Sequence, residues 1–83
     1  MRIGSLVTPS KYWVELSIDS DLYYLAGEFG EGEVGVVLEK GVLPKYGDPV
    51  VRVLSPSGVV GWVGEAHLRE VEGAELNQIN QKI

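Results

Sequence analysis

The only histidine, His67, is the residue best suited to move protons at neutral pH. Glu65 and Glu70 lie close to it in sequence, and a carboxylate beside an imidazole orients a general base. The serines stand at no spacing that completes a catalytic triad, and the chain has no cysteine. The sequence therefore predicts that this protein is not an enzyme and that His67 is a partly exposed packing residue.

Two patterns resemble ligand-binding loops but lack the surroundings that such loops need. Residues 30–35 match Gly-x-Gly-x-x-Gly, yet a β-branched segment follows them instead of a helix, and Glu31 and Glu33 would repel a phosphate. Asp19-x-Asp21 begins a calcium-loop pattern that two tyrosines interrupt. A flexible turn that leads into a strand explains the first pattern, and a solvated acidic loop explains the second. We therefore expect neither a cofactor nor a metal ion.

Aromatic side chains are the strongest candidates for a binding surface. If residues 12–18 are extended, Trp13 faces away from the apolar side chains that alternate with it. The side chains expected to face the core are those of Tyr12, Val14, Leu16 and Ile18. Aromatic rings either cover a small core or anchor a protein interface, and the sequence leaves both open. For the interface, the predicted protein-contact residues are Trp13, Tyr23, Tyr24 and Trp62.

Length and composition exclude several kinds of protein. Its 83 residues allow one domain, 45% of them are hydrophobic, and without cysteine there is no disulfide framework or zinc ribbon. Seven Lys and Arg against 12 Asp and Glu leave a net charge of -5, which opposes binding to nucleic-acid phosphates. No apolar run reaches the roughly 18 residues of a membrane span, and no secretion signal is evident. We therefore expect a cytoplasmic protein that binds no membrane.

The elements that must position these residues are strands. Valine is abundant and glycine interrupts the chain from end to end, which is typical of a small all-β barrel or sandwich. The apolar pattern predicts five to six strands, with candidate segments at residues 5–8, 12–18, 34–40, 49–55, 59–63 and 68–72. The connections predicted between them are a short helical turn over 22–25 capped from 19–21, an acidic loop over 26–33, a tight turn at 56–58 and a 3₁₀ turn at 65–67.

Residues 61–68, Gly-Trp-Val-Gly-Glu-Ala-His-Leu, resemble the end of an SH3 domain, where a similar motif leads through a 3₁₀ turn into the last strand. Gly64 stands where SH3 domains carry the proline of the ligand groove, and His67 stands where they carry the groove tyrosine. Because recognition of proline-rich peptides needs aromatic slots for a polyproline helix, the resemblance implies the fold and not that activity.

Residues 1–8 and 33–72 are similar to small SH3-like, KOW-like barrel proteins of tailed bacteriophages, most of which have no assigned function. The resemblance implies a barrel of five to six strands over residues 1–73, with a long loop after the first strand and a 3₁₀ turn before the last. We expect residues 74–83 to be a polar tail, either disordered or a short helix, because the spacing of their apolar residues is only weakly amphipathic.

The function expected from these observations is a non-enzymatic protein-interaction or virion-associated module in a bacterial host. Its partner is another protein or a second copy of itself. The alternative is a KOW-like barrel that binds nucleic acid, although the net charge makes nucleic acid an unfavourable partner. That alternative requires a contiguous basic face built from Arg2, Lys40, Arg52 or Arg69.

Overall fold

The computed structural model describes residues 1–72. These residues form seven strands. The elements are β1 (Leu6–Pro9), β2 (Trp13–Ser17), β3 (Leu25–Gly30), β4 (Gly35–Val42), β5 (Pro49–Leu54), β6 (Val60–Gly64), the 3₁₀ turn η1 (Glu65–His67) and β7 (Leu68–Glu70). The predicted all-β class is confirmed. The tail predicted at residues 74–83 lies outside the described residues. Within residues 1–72, no helix has the length and apolar character needed to cross a membrane.

The strands form one antiparallel sheet in the order β3-β2-β6-β5-β4-β1-β7. Because strands twist, the sheet curls until β1 approaches β3, which makes a half-barrel. The β2–β3 hairpin joins the rest of the sheet through β6, where Ser17 pairs with Trp62. At the other edge lies β7, as the sequence predicts.

The hydrophobic core fills the inside of the curl. It consists of inward-facing strand residues, namely Val7, Leu16, Phe29, Val37, Val51, Val53, Val63 and Leu68. Full burial of such a side chain contributes about 1.5–3 kcal/mol. Gly35 and Gly61 allow close contact between strands. A Cβ on Gly35 would lie 2.7 Å from Val53 Cγ1, and one on Gly61 would lie 2.7 Å from Leu16 Cβ.

The connections in the second half of the chain follow the sequence prediction. The tight turn at residues 56–58 joins β5 to β6, with Gly58 at φ 89° and Ser55 Oγ accepting the Val59 N–H at 3.2 Å. The predicted 3₁₀ turn is η1, with the predicted bounds. Pro56 and Gly58 fix the backbone locally, so tertiary contacts are not needed to predict the tight turn.

The prediction of five to six strands is wrong, because the acidic loop predicted over residues 26–33 contains most of β3. Phe29 is the reason for β3: its ring is fully buried, and the residue pairs with Val14 of β2. Glycine and glutamate on either side of Phe29 are typical of loops, and they obscure a strand that one buried ring anchors.

Residues 22–25 form no helix, contrary to the prediction. Residues 18–24 make the turn of the β2–β3 hairpin, with Leu22 in the left-handed region at φ 61°. The predicted cap exists in another form: Asp19 Oδ1 accepts the N–H groups of Tyr23 and Tyr24 at 3.1 and 3.3 Å. The carboxylate thus stabilises a turn instead of a helix.

Of the residues predicted to face the core between positions 12 and 18, only the two in the middle of the segment do so. Leu16 is fully buried and Val14 is half-buried, whereas Tyr12 and Ile18 are 74% and 67% exposed. Both exposed residues lie beyond the ends of β2, where pairing no longer maintains the alternation of faces.

Candidate functional site

A groove runs across the outer face of the sheet beside η1. Its walls are the β2–β3 hairpin and the loop of residues 43–48, and its floor comes from β5, β6 and η1. The depression along β2 has a volume of about 330 Å³ and continues into the one beside the loop. We define the groove by the lining residues Trp13, Leu22, Leu43, Val50, Gly64 and His67.

His67 lies at the centre of the groove. β6 ends at Gly64, whose extended backbone (φ -60°, ψ 130°) leads into the single turn of η1. A Cβ on Gly64 would lie 3.2 Å from His67 Cδ2, so glycine leaves room for the imidazole ring. The His67 carbonyl accepts the Ser10 N–H at 2.9 Å, which ties η1 to the chain entering the hairpin. The sequence predicts only a packing role for His67, because its position in the groove depends on distant elements.

The second wall of the groove is a tightly closed loop. The Leu43 N–H donates to the Asp48 carbonyl at 2.7 Å, and the Gly47 N–H donates to the Leu43 carbonyl at 2.8 Å. Gly47 adopts φ 75°, which glycine tolerates without strain. Lys45 Nζ lies 5.4 Å from the centre of the Tyr46 ring, within range of a cation–π contact. Tyr46 is therefore an exposed ring beside the groove that the sequence prediction missed.

The structure distributes the four predicted protein-contact residues over three places. Trp13, 55% exposed, lines the groove at the start of β2. Tyr23 and Tyr24 are exposed at the tip of the hairpin, with ring centres 4.9 Å apart in an edge-on arrangement. Trp62 is half-buried on β6, and a Cβ on Gly41 would lie 3.2 Å from its Cζ3. The four rings therefore do not form one cluster.

Charge is distributed unevenly around the groove. The hairpin and the loop after it carry the carboxylates of Glu15, Asp19, Asp21, Glu28, Glu31 and Glu33. Glu15 and Glu28 face each other across β2 and β3, a like-charge pair that destabilises a sheet. Asp48 adds a carboxylate on the loop wall, and Lys11 and Lys45 lie at the two ends. The groove therefore lies beside a predominantly acidic hairpin.

The carboxylates nearest to His67 in sequence are engaged elsewhere. Glu65 Oε1 and Glu70 Oε1 lie 3.4 and 3.5 Å from the amino nitrogen of Met1. Ser5 Oγ also donates to Glu70 Oε1 at 3.4 Å. Among residues 1–72, no three histidine, aspartate or glutamate side chains are grouped so that they could hold a metal ion. Glu65 and Glu70 thus contact residues at the start of the chain.

The basic residues of the nucleic-acid alternative lie on separate elements. Arg2 precedes β1, Lys40 is on β4, Arg52 is on β5 and Arg69 is on β7. Arg52 Nη1 donates to Glu39 Oε1 at 2.8 Å, so its charge is compensated within the sheet. Binding to nucleic acid stays a prediction.

Comparisons with known proteins assign no family to this chain. It matches no protein-family model, no curated protein and no solved structure. The function is therefore inferred from the residues and their arrangement.

Proposed function

We propose that this chain is an SH3-like barrel that acts as a non-enzymatic protein-interaction module and binds an extended segment of another protein in the groove. One observation carries the proposal: an open groove floored by Val50 and Gly64 lies between a hairpin and a loop that both expose aromatic rings. Tyrosine and tryptophan are favoured anchors in protein interfaces, and a groove of this kind suits an extended chain.

The order of elements supports the SH3-like assignment. The chain has a long excursion after β1, a tight turn between β5 and β6, and η1 immediately before β7, as the sequence resemblance implies. In this interpretation β1, β4, β5, β6 and β7 are the five barrel strands. The excursion is folded as the β2–β3 hairpin and adds two strands at one edge of the sheet.

The partner segment that fits best combines apolar and basic residues. Trp13, Leu22 and Leu43 provide apolar lining that an aliphatic or aromatic side chain can cover. Carboxylates of the hairpin, among them Glu15 and Asp21, attract lysine and arginine and increase the rate of association at low salt. Gly64 and His67 replace the proline and tyrosine of SH3 grooves, so selectivity for proline-rich segments is not expected.

Selection from a displayed library of random peptides tests this proposal. We expect the enriched peptides to combine apolar and basic residues and to bind less tightly as salt rises. On addition of a selected peptide, the largest chemical-shift changes should lie at Trp13, Leu22 and His67. Enrichment no greater than that on an unrelated protein, or shift changes centred elsewhere, would contradict the proposal.

Trp13→Ala separates a binding role from a structural one. Because the ring is 55% exposed, we expect the free energy of unfolding to change by only about 0.5 kcal/mol. Loss of an aromatic anchor should weaken peptide binding by about 2 kcal/mol, or roughly 30-fold. Tyr12→Ala is the matched control, since this neighbouring ring is 74% exposed and lies outside the groove lining defined above. A destabilised Trp13→Ala variant with unchanged affinity would show that the ring belongs to the core.

A further inference from the structure

The outer face of the sheet carries a row of aliphatic side chains at the opposite end of the strands from the groove. Leu6 of β1 lies opposite Val36 of β4, Val36 opposite Leu54 of β5, and Leu54 opposite Val60 of β6. Residues paired in this way share one face, and the next residues along these strands belong to the core or its edge, so the four face outward. We call these four residues the aliphatic row.

The aliphatic row is unusual for a face in contact with water. Antiparallel sheets with a free face normally carry polar residues there, and adjoining apolar side chains on such a face are candidates for a contact site. Leu6 and Leu54 are 38% and 37% exposed, while Val36 and Val60 are half-buried. Leu54 lies four residues along β5 from Val50 of the groove floor, a distance of about 13 Å. The row is therefore a surface separate from the groove lining.

Opposite charges flank the aliphatic row on the same face. Arg52 is two residues before Leu54 on β5, and its register partner on β4 is Glu39. The two side chains form an ion pair of 2.8 Å, and both are substantially exposed. A positive group on β5 and a negative group on β4 thus lie beside the aliphatic row.

We propose that the aliphatic row is the interface of a symmetric dimer, whose occupant is a second copy of this chain. A two-fold axis parallel to the strands and midway between β4 and β5 sets Val36 against Leu54 of the partner subunit. The same axis sets Leu6 against Val60 of the partner subunit and Glu39 against Arg52 of the partner subunit. Across this axis aliphatic side chains therefore meet aliphatic side chains and opposite charges meet, so the surface is self-complementary, as an isologous interface requires. Two sheets in this arrangement pack face to face about 10 Å apart.

The charge distribution favours this face for contact between identical copies. The chain has a net charge of -5, and many of its carboxylates lie on the hairpin and the loop that follows it. Two copies that met through the hairpin would repel each other. The aliphatic row with Glu39 and Arg52 carries no net charge, so a second copy meets little repulsion there. This inference is independent of the groove and does not rest on its proposed function.

Sedimentation equilibrium of the full chain tests the dimer at protein concentrations up to roughly 1 mM. We expect a monomer–dimer equilibrium, and we expect Leu54→Glu to raise its dissociation constant at least roughly tenfold by burying an unpaired charge. Val42→Glu is the matched control: Val42 is 57% exposed on β4 but outside the row, and the change in net charge is the same. A monomer at every concentration, or equal dissociation constants for the two variants, would overturn the proposal.

Charge reversal tests the symmetry directly and keeps the apolar residues intact. Glu39→Arg and Arg52→Glu should each weaken the homodimer, because each subunit then presents two like charges to its partner. An equimolar mixture of the two variants should restore association, since every contact across the axis becomes an opposite pair. Circular dichroism of each variant confirms that it is folded. Heterodimers no more stable than either homodimer would overturn the two-fold arrangement, whereas Trp13→Ala should leave dimerisation unchanged.

Discussion

The β2–β3 hairpin and the central strands β4–β6 are held in place in different ways. β5 pairs with both neighbours along its length, and its inward side chains are fully buried. The hairpin is attached to β6 through the pair of Ser17 with Trp62. Its position depends instead on two buried side chains, Leu16 and Phe29, which reach into the common core. The central strands are thus stabilised by pairing and packing together, and the hairpin mainly by packing.

This difference relates stability to function. The hairpin exposes Trp13, Tyr23 and Tyr24 together with the cross-strand pair of Glu15 and Glu28, whose like charges destabilise the pairing of β2 with β3. A segment with so much exposed apolar and charged surface stays folded because a few residues anchor it. Variants of those anchors therefore measure how much each anchor contributes to the free energy of unfolding through the hairpin, separately from the strands of the barrel.

The largest effect is expected from Phe29→Ala. The ring is fully buried although it lies on an edge strand, so its removal leaves a cavity and should reduce the free energy of unfolding by about 3–5 kcal/mol. Urea denaturation measures this change. Tyr23→Ala removes a 78% exposed ring from the same hairpin and should cost no more than about 0.5 kcal/mol. Similar losses for the two variants would show that burial of Phe29 does not anchor the hairpin.

An intermediate effect is expected from Gly61→Ala, which acts on the junction between hairpin and barrel. The added Cβ would lie 2.7 Å from Leu16 Cβ and 3.0 Å from the Ser17 carbonyl oxygen, so β2 must move away from β6. We expect a loss of about 1–3 kcal/mol in urea denaturation. Gly64→Ala on the same strand is the control, because its Cβ meets only the exposed His67 ring, at 3.2 Å. A larger loss of unfolding free energy for Gly64→Ala than for Gly61→Ala would show that close packing at the junction of β2 and β6 does not limit stability.

The smallest effect is expected from Asp19→Ala at the tip of the hairpin. The variant removes the acceptor for the Tyr23 and Tyr24 N–H groups, and losses of this kind cost about 1 kcal/mol. Asp19→Asn keeps an acceptor oxygen and should retain most of the stability. Thermal melting of the three proteins measures the difference. Equal melting temperatures for Asp19→Ala and the unmodified chain would mean that the turn does not need its cap.

The strands of the second half could be predicted from the sequence because local residues determine them. The valines of β5 and the Pro-Ser-Gly turn at residues 56–58 indicate a hairpin without help from the rest of the fold. β3 could not be predicted in this way, since Gly27, Glu28 and Gly30 are poor strand formers. Phe29 is buried only because the curled sheet brings it beside Gly35, a contact between strands that no local pattern encodes.

In the candidate site, too, some features follow from the local sequence and others depend on tertiary structure. The outward direction of Trp13 follows from the alternation within β2 and was predictable. The placement of Leu43 and His67 in one groove depends on how the loop of residues 43–48 and η1 approach each other across β5. The aliphatic row likewise depends on register, because Leu6, Val36 and Leu54 are neighbours only after three strands have paired.

The pairing of Ser17 with Trp62 also has a consequence for motion. Because β2 pairs with β6 at a single residue pair, the hairpin should open at a lower free energy than the whole molecule. The amide hydrogens of β2 and β3 should then exchange with solvent faster than those of β5. When the hairpin opens, Trp13 leaves the groove while η1 remains with β5 and β6. A peptide bound in the groove as proposed above would then lose part of its site each time the hairpin opens, without unfolding of the barrel.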